Sequence, residues 1–236
     1  TCLTGKMHFV GPDQLHGFEE RLTTDIYPSD FGWTPDWSKR DYPFSPSVMS
    51  LRGVVEAGLC KRSLQLDYDD EVSFTAIRKI YDYARETDTK PFFLTVSFTH
   101  PHNPFTISEG YWNRYNHDDI DMPSVRNIAL EDRDPWSQRY YHLIRQDEHN
   151  LTDDMIRIAR HAYYGMISYV DDQVGKIIEA LDTTGLNQNT IVLFTSDHGD
   201  MMGERGMWYK FNPFEWSVRV PLIICSPGGV KGHKEE

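Results

Sequence analysis

Ile191-Val192-Leu193-Phe194-Thr195-Ser196-Asp197-His198-Gly199-Asp200 is the stretch that decides the fold. Its first four residues are aliphatic or aromatic and uncharged, the composition of a strand buried on both faces. The run stops at a polar cluster that contains glycine. In an open α/β sheet, ligands bind outside the carboxyl ends of the strands. Asp197 and His198 at such an edge offer an oxygen and a nitrogen to one divalent cation. Ser, Asp and Gly are also common turn formers, so the hexapeptide alone leaves a plain turn open.

The residues leading into this strand read as a long helix. Thr152 is its N-cap, and Asp153 and Asp154 in the first turn suit the helix dipole. Ile156, Ala159, Tyr163, Met166, Val170, Val174, Ile177 and Leu181 hold the helical period, and Gly185 ends it. A helix that feeds a strand so directly is the crossover of a parallel sheet. The same alternation recurs upstream: a helical pattern over 67–88, then a second buried strand over 92–98. A short strand ends at Gly5, and Val218–Ile224 reads as another. The expected class is α/β, a mixed and mostly parallel sheet flanked by helices on both faces.

Each expected strand end delivers chemistry-bearing side chains. Lys6 and His8, one residue apart, point the same way if the segment is extended and would form an anion site, although a solvated loop is the blander reading. His100 follows the 92–98 strand between prolines that hold its loop extended. His102 is read as surface-exposed. Lys210 lies thirteen positions past Asp197 and returns to the same pocket through glycine-containing Met201–Lys210. Residues 11–66 form a long aromatic excursion with Trp33, Trp37, Tyr42 and Phe44 among prolines. Asp118-Asp119 reads as a solvated acidic loop. Asp171 and Asp172 project about 100° apart on a helix, so they read as structural.

Composition narrows the function classes. The 236 residues carry 24 basic and 36 acidic side chains, a net charge of −12, which argues against a nucleic-acid partner. With 39% hydrophobic and 13% aromatic residues, a packed core is expected. No run approaches a membrane span. Cys2, Cys60 and Cys225 lack metal spacing and read as reduced thiols of a cytoplasm-like compartment. The chain opens without Met and ends on a charged loop, so both ends look cut and targeting signals unobservable.

A shell of cations around a metal site suits an oxyanion ester. The motifs resemble those of the sulfatase branch of the alkaline-phosphatase superfamily: Gly5-Lys6-Met7-His8, Thr99-His100-Pro101-His102, and Ser196–Asp200 followed by Gly206–Lys210. Gly11–Glu19 and Gln65-Leu66-Asp67-Tyr68-Asp69 point more narrowly to choline-sulfatases. The resemblance implies the following roles. Asp197 and His198 are two ligands of one divalent cation, Ca2+, Mg2+ or Mn2+. Lys6 and His8 contact the nucleophile and sulfate, and His100 and Lys210 bind sulfate and assist the leaving oxygen. The family nucleophile is a formylglycine made within Cys-x-Pro-x-Arg, a motif this sequence lacks, as it lacks the family's N-terminal Asp-Asp ligand pair. Residues 1–236 are thus expected to be the central part of a single sulfatase catalytic domain, truncated at both ends, from a homo-oligomeric, bacterial-type cytoplasmic enzyme.

The expected substrate is a small-molecule sulfate ester, choline-O-sulfate or another small alkyl sulfate. Trp33, Trp208 and Tyr209 are the candidate rings for a quaternary ammonium. Ser47-Val48 stand before Met49 where choline-sulfatases tend to carry His-Asn. The alternatives are a phosphonate or phosphate monoester hydrolase, whose members tend to carry Tyr in place of Lys6, and a non-catalytic anion- or metal-binding relative.

Overall fold

The computed structural model describes residues 1–27, 50–86, 90–229 and 232. In chain order its elements are β1 (Cys2–Gly5), β2 (Glu20–Arg21), α1 (Arg52–Val55), β3 (Gly58–Leu59), α2 (Leu64–Arg85), β4 (Leu94–Ser97), β5 (Thr106–Ile107), α3 (Glu109–Trp112), α4 (Pro135–Leu143), α5 (Asp153–Thr184), β6 (Val192–Thr195), α6 (Glu215–Val218) and β7 (Leu222–Cys225). The fold is α/β. β1 lies between β2 and β4, and all three are parallel. β3 and β5 form a second parallel pair, and β6 pairs with β7 antiparallel. None of the described helices is long and apolar enough to cross a membrane.

The long helices follow from their caps and periods. The Thr152 side chain accepts from the Met155 N–H, and Gly185 closes α5 in the left-handed conformation. α2 starts three residues before the expected 67, because the Ser63 hydroxyl accepts the Leu66 N–H and caps the helix there. The 92–98 strand shortens to Leu94–Ser97. α4 was invisible to the apolar period; its signal is Asp134-Pro135, an N-cap accepting from Trp136 and Ser137 followed by proline at the first turn. The main core gathers Ala159, Met166 and Tyr169 of α5 with Leu66, Phe105 and Trp208. A smaller cluster sets Ile80 of α2 against Ala180 and Leu181 of α5.

The deciding stretch departs from expectation in one respect. β6 does follow α5, but its partner among the described residues is β7, antiparallel, and neither strand is fully buried. Ile191 is 66% exposed and Leu222 65%. The chain leaves β6, builds the loop to Lys210, and returns through α6, so the next strand arrives reversed. An apolar run with no alternation specifies two apolar faces; it does not specify the partner or its direction. The other doublets behave as read: Asp118 and Asp119 are exposed, and Asp172 makes a surface ion pair with Arg114 (2.6 Å).

Candidate active site

Three loops rise from the carboxyl ends of β1, β4 and β6, and each is rooted by an aspartate. β1 and β4 pair with Gly5 opposite Ser97, and the Lys6 N–H donates to the Ser97 carbonyl (3.0 Å). Gly5 has φ +109°, and a Cβ there would land inside the Ser97 carbonyl, so only glycine fits. Asp25 then accepts the N–H groups of Met7 (2.9 Å) and His8 (2.7 Å) and an ion pair from Arg21 (3.1 Å). Asp69, on α2, accepts the N–H groups of Thr99 (2.7 Å) and His100 (2.9 Å). Asp200 accepts those of Met202 (3.0 Å) and Tyr209 (3.1 Å), which folds the loop back and returns Lys210. Burial raises the pKa of Asp25, but the backbone donors and Arg21 outweigh it and hold the carboxyl below the usual range. Burial pushes Asp200 up to about 6, against its two backbone donors and Lys210.

These loops enclose an open basin of ≈ 2450 Å³ and bring Lys6, His8, His100, Asp197, His198 and Lys210 to its wall. His100 is the most rigidly placed. Its Nδ1–H donates to the Asp69 carboxylate (2.7 Å), its ring lies 4.8 Å from the Tyr169 ring, and its buried Nε2 has no hydrogen-bond partner. The carboxylate on Nδ1 fixes the tautomer, leaving Nε2 as the working nitrogen. The Lys6–His8 segment is not extended: the backbone turns at Gly5, and His8 has φ +59°. Nor is the loop after β4, because the His102 N–H donates to the Thr99 carbonyl (3.0 Å) and closes a turn.

His102 overturns its reading as a surface residue. Its Nδ1–H donates to the Asn103 carbonyl (2.7 Å), and its Nε2 accepts from Lys210 Nζ (3.1 Å). Burial, then Lys6 and Lys210, push its pKa down to about 3, so it is neutral near pH 7 and acts as the acceptor for Lys210. Lys210 is itself lowered to about 8 by burial and by Lys6, against Asp197 and Asp200. Lys6 is lowered by burial, and His8 by burial and then Lys6. Every resolved shift on a basic group here runs the same way. The basin crowds desolvated positive groups around a space that a bound anion would relieve.

Asp197 and His198 meet at the rim. The His198 Nδ1–H donates to the Gly199 carbonyl (2.7 Å), which leaves the Nε2 lone pair 3.5 Å from Asp197 Oδ2. Two acceptors facing each other with no donor between them fit a divalent cation. Gly199 makes the turn possible, since a Cβ there would collide with the Trp216 carbonyl. The Asp197 side chain is 84% exposed, and no group of three His, Cys, Asp or Glu able to hold a metal occurs among the described residues. Among the described residues these two side chains alone offer ligand atoms at this point.

The aromatic candidates separate. Tyr209 lines the basin, its hydroxyl donating to the Ser50 carbonyl (2.9 Å). Trp208 is a correction: it is 1% exposed, packs near Phe105 in the main core, and borders a different cavity. Tyr209 belongs to the same core, 6% exposed with its ring 6.1 Å from Phe105, but it also borders the basin. Trp33, Trp37, Tyr42, Phe44 and Ser47–Met49 lie outside the described residues. Tyr27, not anticipated, lines the basin with its ring 5.3 Å from Lys6 Nζ. Gln65, quoted above only for the family resemblance, also ties the loops together; its amide donates to the Tyr27 hydroxyl (2.9 Å) and to the carbonyls of His102 (3.1 Å) and Asn103 (2.9 Å). The available signal was two polar residues, Gln65 and Asp69, four apart on the helix face that also carries Val72, Ala76 and Ile80.

The chain is similar to known proteins over most of its length. The sulfatase family model matches residues 11–236. A choline-sulfatase of Rhizobium meliloti (strain 1021) is 48% identical over 235 residues, covering 98% of this chain and 46% of that protein. A multifunctional alkaline phosphatase superfamily protein of Trinickia caryophylli is 31% identical over 177 residues, 69% of this chain and 33% of its own length. The crystal structure of the phosphonate monoester hydrolase of Agrobacterium radiobacter superposes with a TM-score of 0.58 at 29% identity, covering 82% of this chain and 39% of that one. The chain thus spans less than half the length of these relatives. Its ordered strand-end motifs and the family match over nearly all its residues place it together with them: the chain belongs to the sulfatase family.

Proposed function

We propose that the protein is a sulfuric ester hydrolase acting on a small alkyl sulfate, with choline-O-sulfate as the favoured substrate. The observation that carries this reading is the basin itself, where Lys6, His100, His102 and Lys210 converge beside the Asp197–His198 pair. In this reading Lys6 and Lys210 hold the sulfate oxygens. His100 Nε2 carries the proton at the ester or sulfate oxygen, with Asp69 stabilising the imidazolium when it forms. His102 keeps Lys210 aimed into the basin. Asp197 and His198 would hold the cation, which when bound supplies positive charge to the sulfate oxygens. The nucleophile implied by the family resemblance is a formylglycine, for which these 236 residues provide no Cys-x-Pro-x-Arg.

Of the rings that line the basin, Tyr27 beside Lys6 and the candidate Tyr209 beside Lys210 are assigned to a quaternary ammonium, where cation–π contact contributes roughly 0.5–2 kcal/mol. The test is kcat/KM of the intact enzyme for choline-O-sulfate against a neutral alkyl sulfate of similar size. A preference below about tenfold, roughly 1.4 kcal/mol, rejects a dedicated ammonium site. A second reading, phosphonate monoester hydrolysis, is favoured by the structural likeness to the Agrobacterium enzyme. It is decided by including a phosphonate monoester in the same comparison. Asp197→Ala in the intact protein is expected to lower bound divalent metal in elemental analysis; unchanged metal content counts against the cation assignment.

A further inference from the structure

Asp69 and Asp70 are consecutive on α2, so their side chains leave the helix about 100° apart. Asp69 reaches the loop after β4. There a single oxygen, Oδ2, accepts both the His100 backbone N–H (2.9 Å) and the ring Nδ1–H (2.7 Å). Asp70 meets α5 instead, where its Oδ1 accepts the hydroxyl of Tyr169 (2.8 Å). The ring of that tyrosine packs on the His100 imidazole, with centroids 4.8 Å apart and planes inclined by 54°. Two neighbouring carboxylates therefore constrain one imidazole. The first bonds to it directly, and the second holds the aromatic ring against it.

The two constraints complement each other. A hydrogen bond at Nδ1 fixes the tautomer and one point of the imidazole. The ring can still swing about that point, and the swing moves Nε2 at its far side. A packed aromatic ring removes this freedom only if it is itself held. Tyr169 is 2% exposed, and the Tyr111 ring stands edge-on to it at 5.4 Å. Burial and the bond to Asp70 raise the pKa of its hydroxyl, which stays a donor. The other oxygen of Asp70 pairs with Arg62 at the surface (2.5 Å). Tyr169 is not part of the basin wall, so any effect it has on the reaction passes through His100. We propose that Tyr169 is a positioning residue for His100: its ring sets the imidazole plane, and its bond to Asp70 holds that ring in place. This rests on the proton-carrying role given to His100 above.

The test compares kcat and KM of the intact protein on two sulfate esters. Choline-O-sulfate has a leaving alkoxide that needs a proton; the phenolate of 4-nitrophenyl sulfate leaves without one. Tyr169→Leu removes the ring. It is expected to lower kcat on choline-O-sulfate by about tenfold or more, and on 4-nitrophenyl sulfate by less than about threefold, with KM little changed. In crystals of this variant the His100 ring should take more than one orientation. Tyr169→Phe and Asp70→Ala each break only the mooring bond, and each should lower kcat on choline-O-sulfate by about threefold. The double variant should lose no more than either alone, because both changes remove the same bond. These variants decide the matter if Tyr169→Leu fails to fold. Unchanged kcat on choline-O-sulfate in Tyr169→Leu overturns the proposal. So does an equal loss on both esters with the His100 ring in one orientation, the mark of a merely structural residue. Additive losses in the double variant overturn the mooring by Asp70. His100→Gln separates the proposal from the reading beneath it. If that variant loses both esters alike, the proton role fails, and the orientation of His100 in the Tyr169→Leu crystals alone decides whether Tyr169 positions it.

Discussion

Replacing Asp69 by Asn changes one oxygen for one nitrogen, yet it touches three bonds at the root of the site. The amide can still accept one backbone N–H, but it no longer fixes Nδ1–H on His100 or stabilises the imidazolium. The expected result is a fall in kcat of about a hundredfold, with a stability loss of about 1–3 kcal/mol in a denaturant titration. A purely structural role would lower stability and leave the pH profile of kcat in place; a positioning role shifts it. Lys210 makes a second prediction. Its pKa is lowered to about 8, so the fold favours the neutral amine. An unfolded lysine titrates near ~10.4, so this residue's contribution to stability rises as pH climbs from about 8 to ~10.4. Anion binding has the opposite sign, because it needs the ammonium. Competitive inhibition by inorganic sulfate should weaken as pH rises through about 8, and that slope should flatten in Lys210→Ala. Individual side chains were the most legible part of the sequence. Lys6, His100 and Asp197 stood out because they follow strand-like runs, and Lys210 because a glycine-containing loop returns it toward Asp197. His102, Gln65 and Asp69 stood in motifs that carry the family resemblance, but their roles were not legible, because those come from partners 30 or more positions away, as in the 31-residue separation of Asp69 and His100.

At the scale of elements, α5 was readable from cap to cap and α2 to within a turn, since helices are specified by local signals. Strand pairing was not. β1 and β4 join residues far apart in sequence, and β6 takes an antiparallel partner that no local pattern encodes. The register of β1 against β4 nevertheless carries the site, because it sets the Lys6 and His100 loops side by side. Gly5→Ala tests this. Its side chain would collide with Ser97 in a backbone conformation that alanine rarely adopts. A loss of at least about 1–3 kcal/mol in stability is expected, together with loss of sulfate binding. A variant as stable as the parent would show that the close approach of the two strands is dispensable.

Across the whole molecule, charge and location run counter to each other. The chain carries −12 overall, yet the basin collects its desolvated cations, so the acidic residues lie mostly outside it. Composition alone argued against a nucleic-acid partner; it could not show this local reversal. The faces of β6 and β7 are the other global feature beyond the reach of local reading, since exposure of an apolar strand is a property of what surrounds it. The three rooting aspartates have a consequence for the resting molecule. Each holds two amide hydrogens of its loop, in addition to the loop's own backbone bonds, and needs no ligand to do so. In hydrogen–deuterium exchange of the unliganded protein, the amides of Met7, His8, Thr99, His100, Met202 and Tyr209 should therefore exchange slowly, while their loop neighbours without an acceptor exchange fast. Adding sulfate should change these six little, because the protein has already spent the ordering entropy in folding. Fast exchange at these positions, slowed by sulfate, would mean that the loops are organised by the ligand instead.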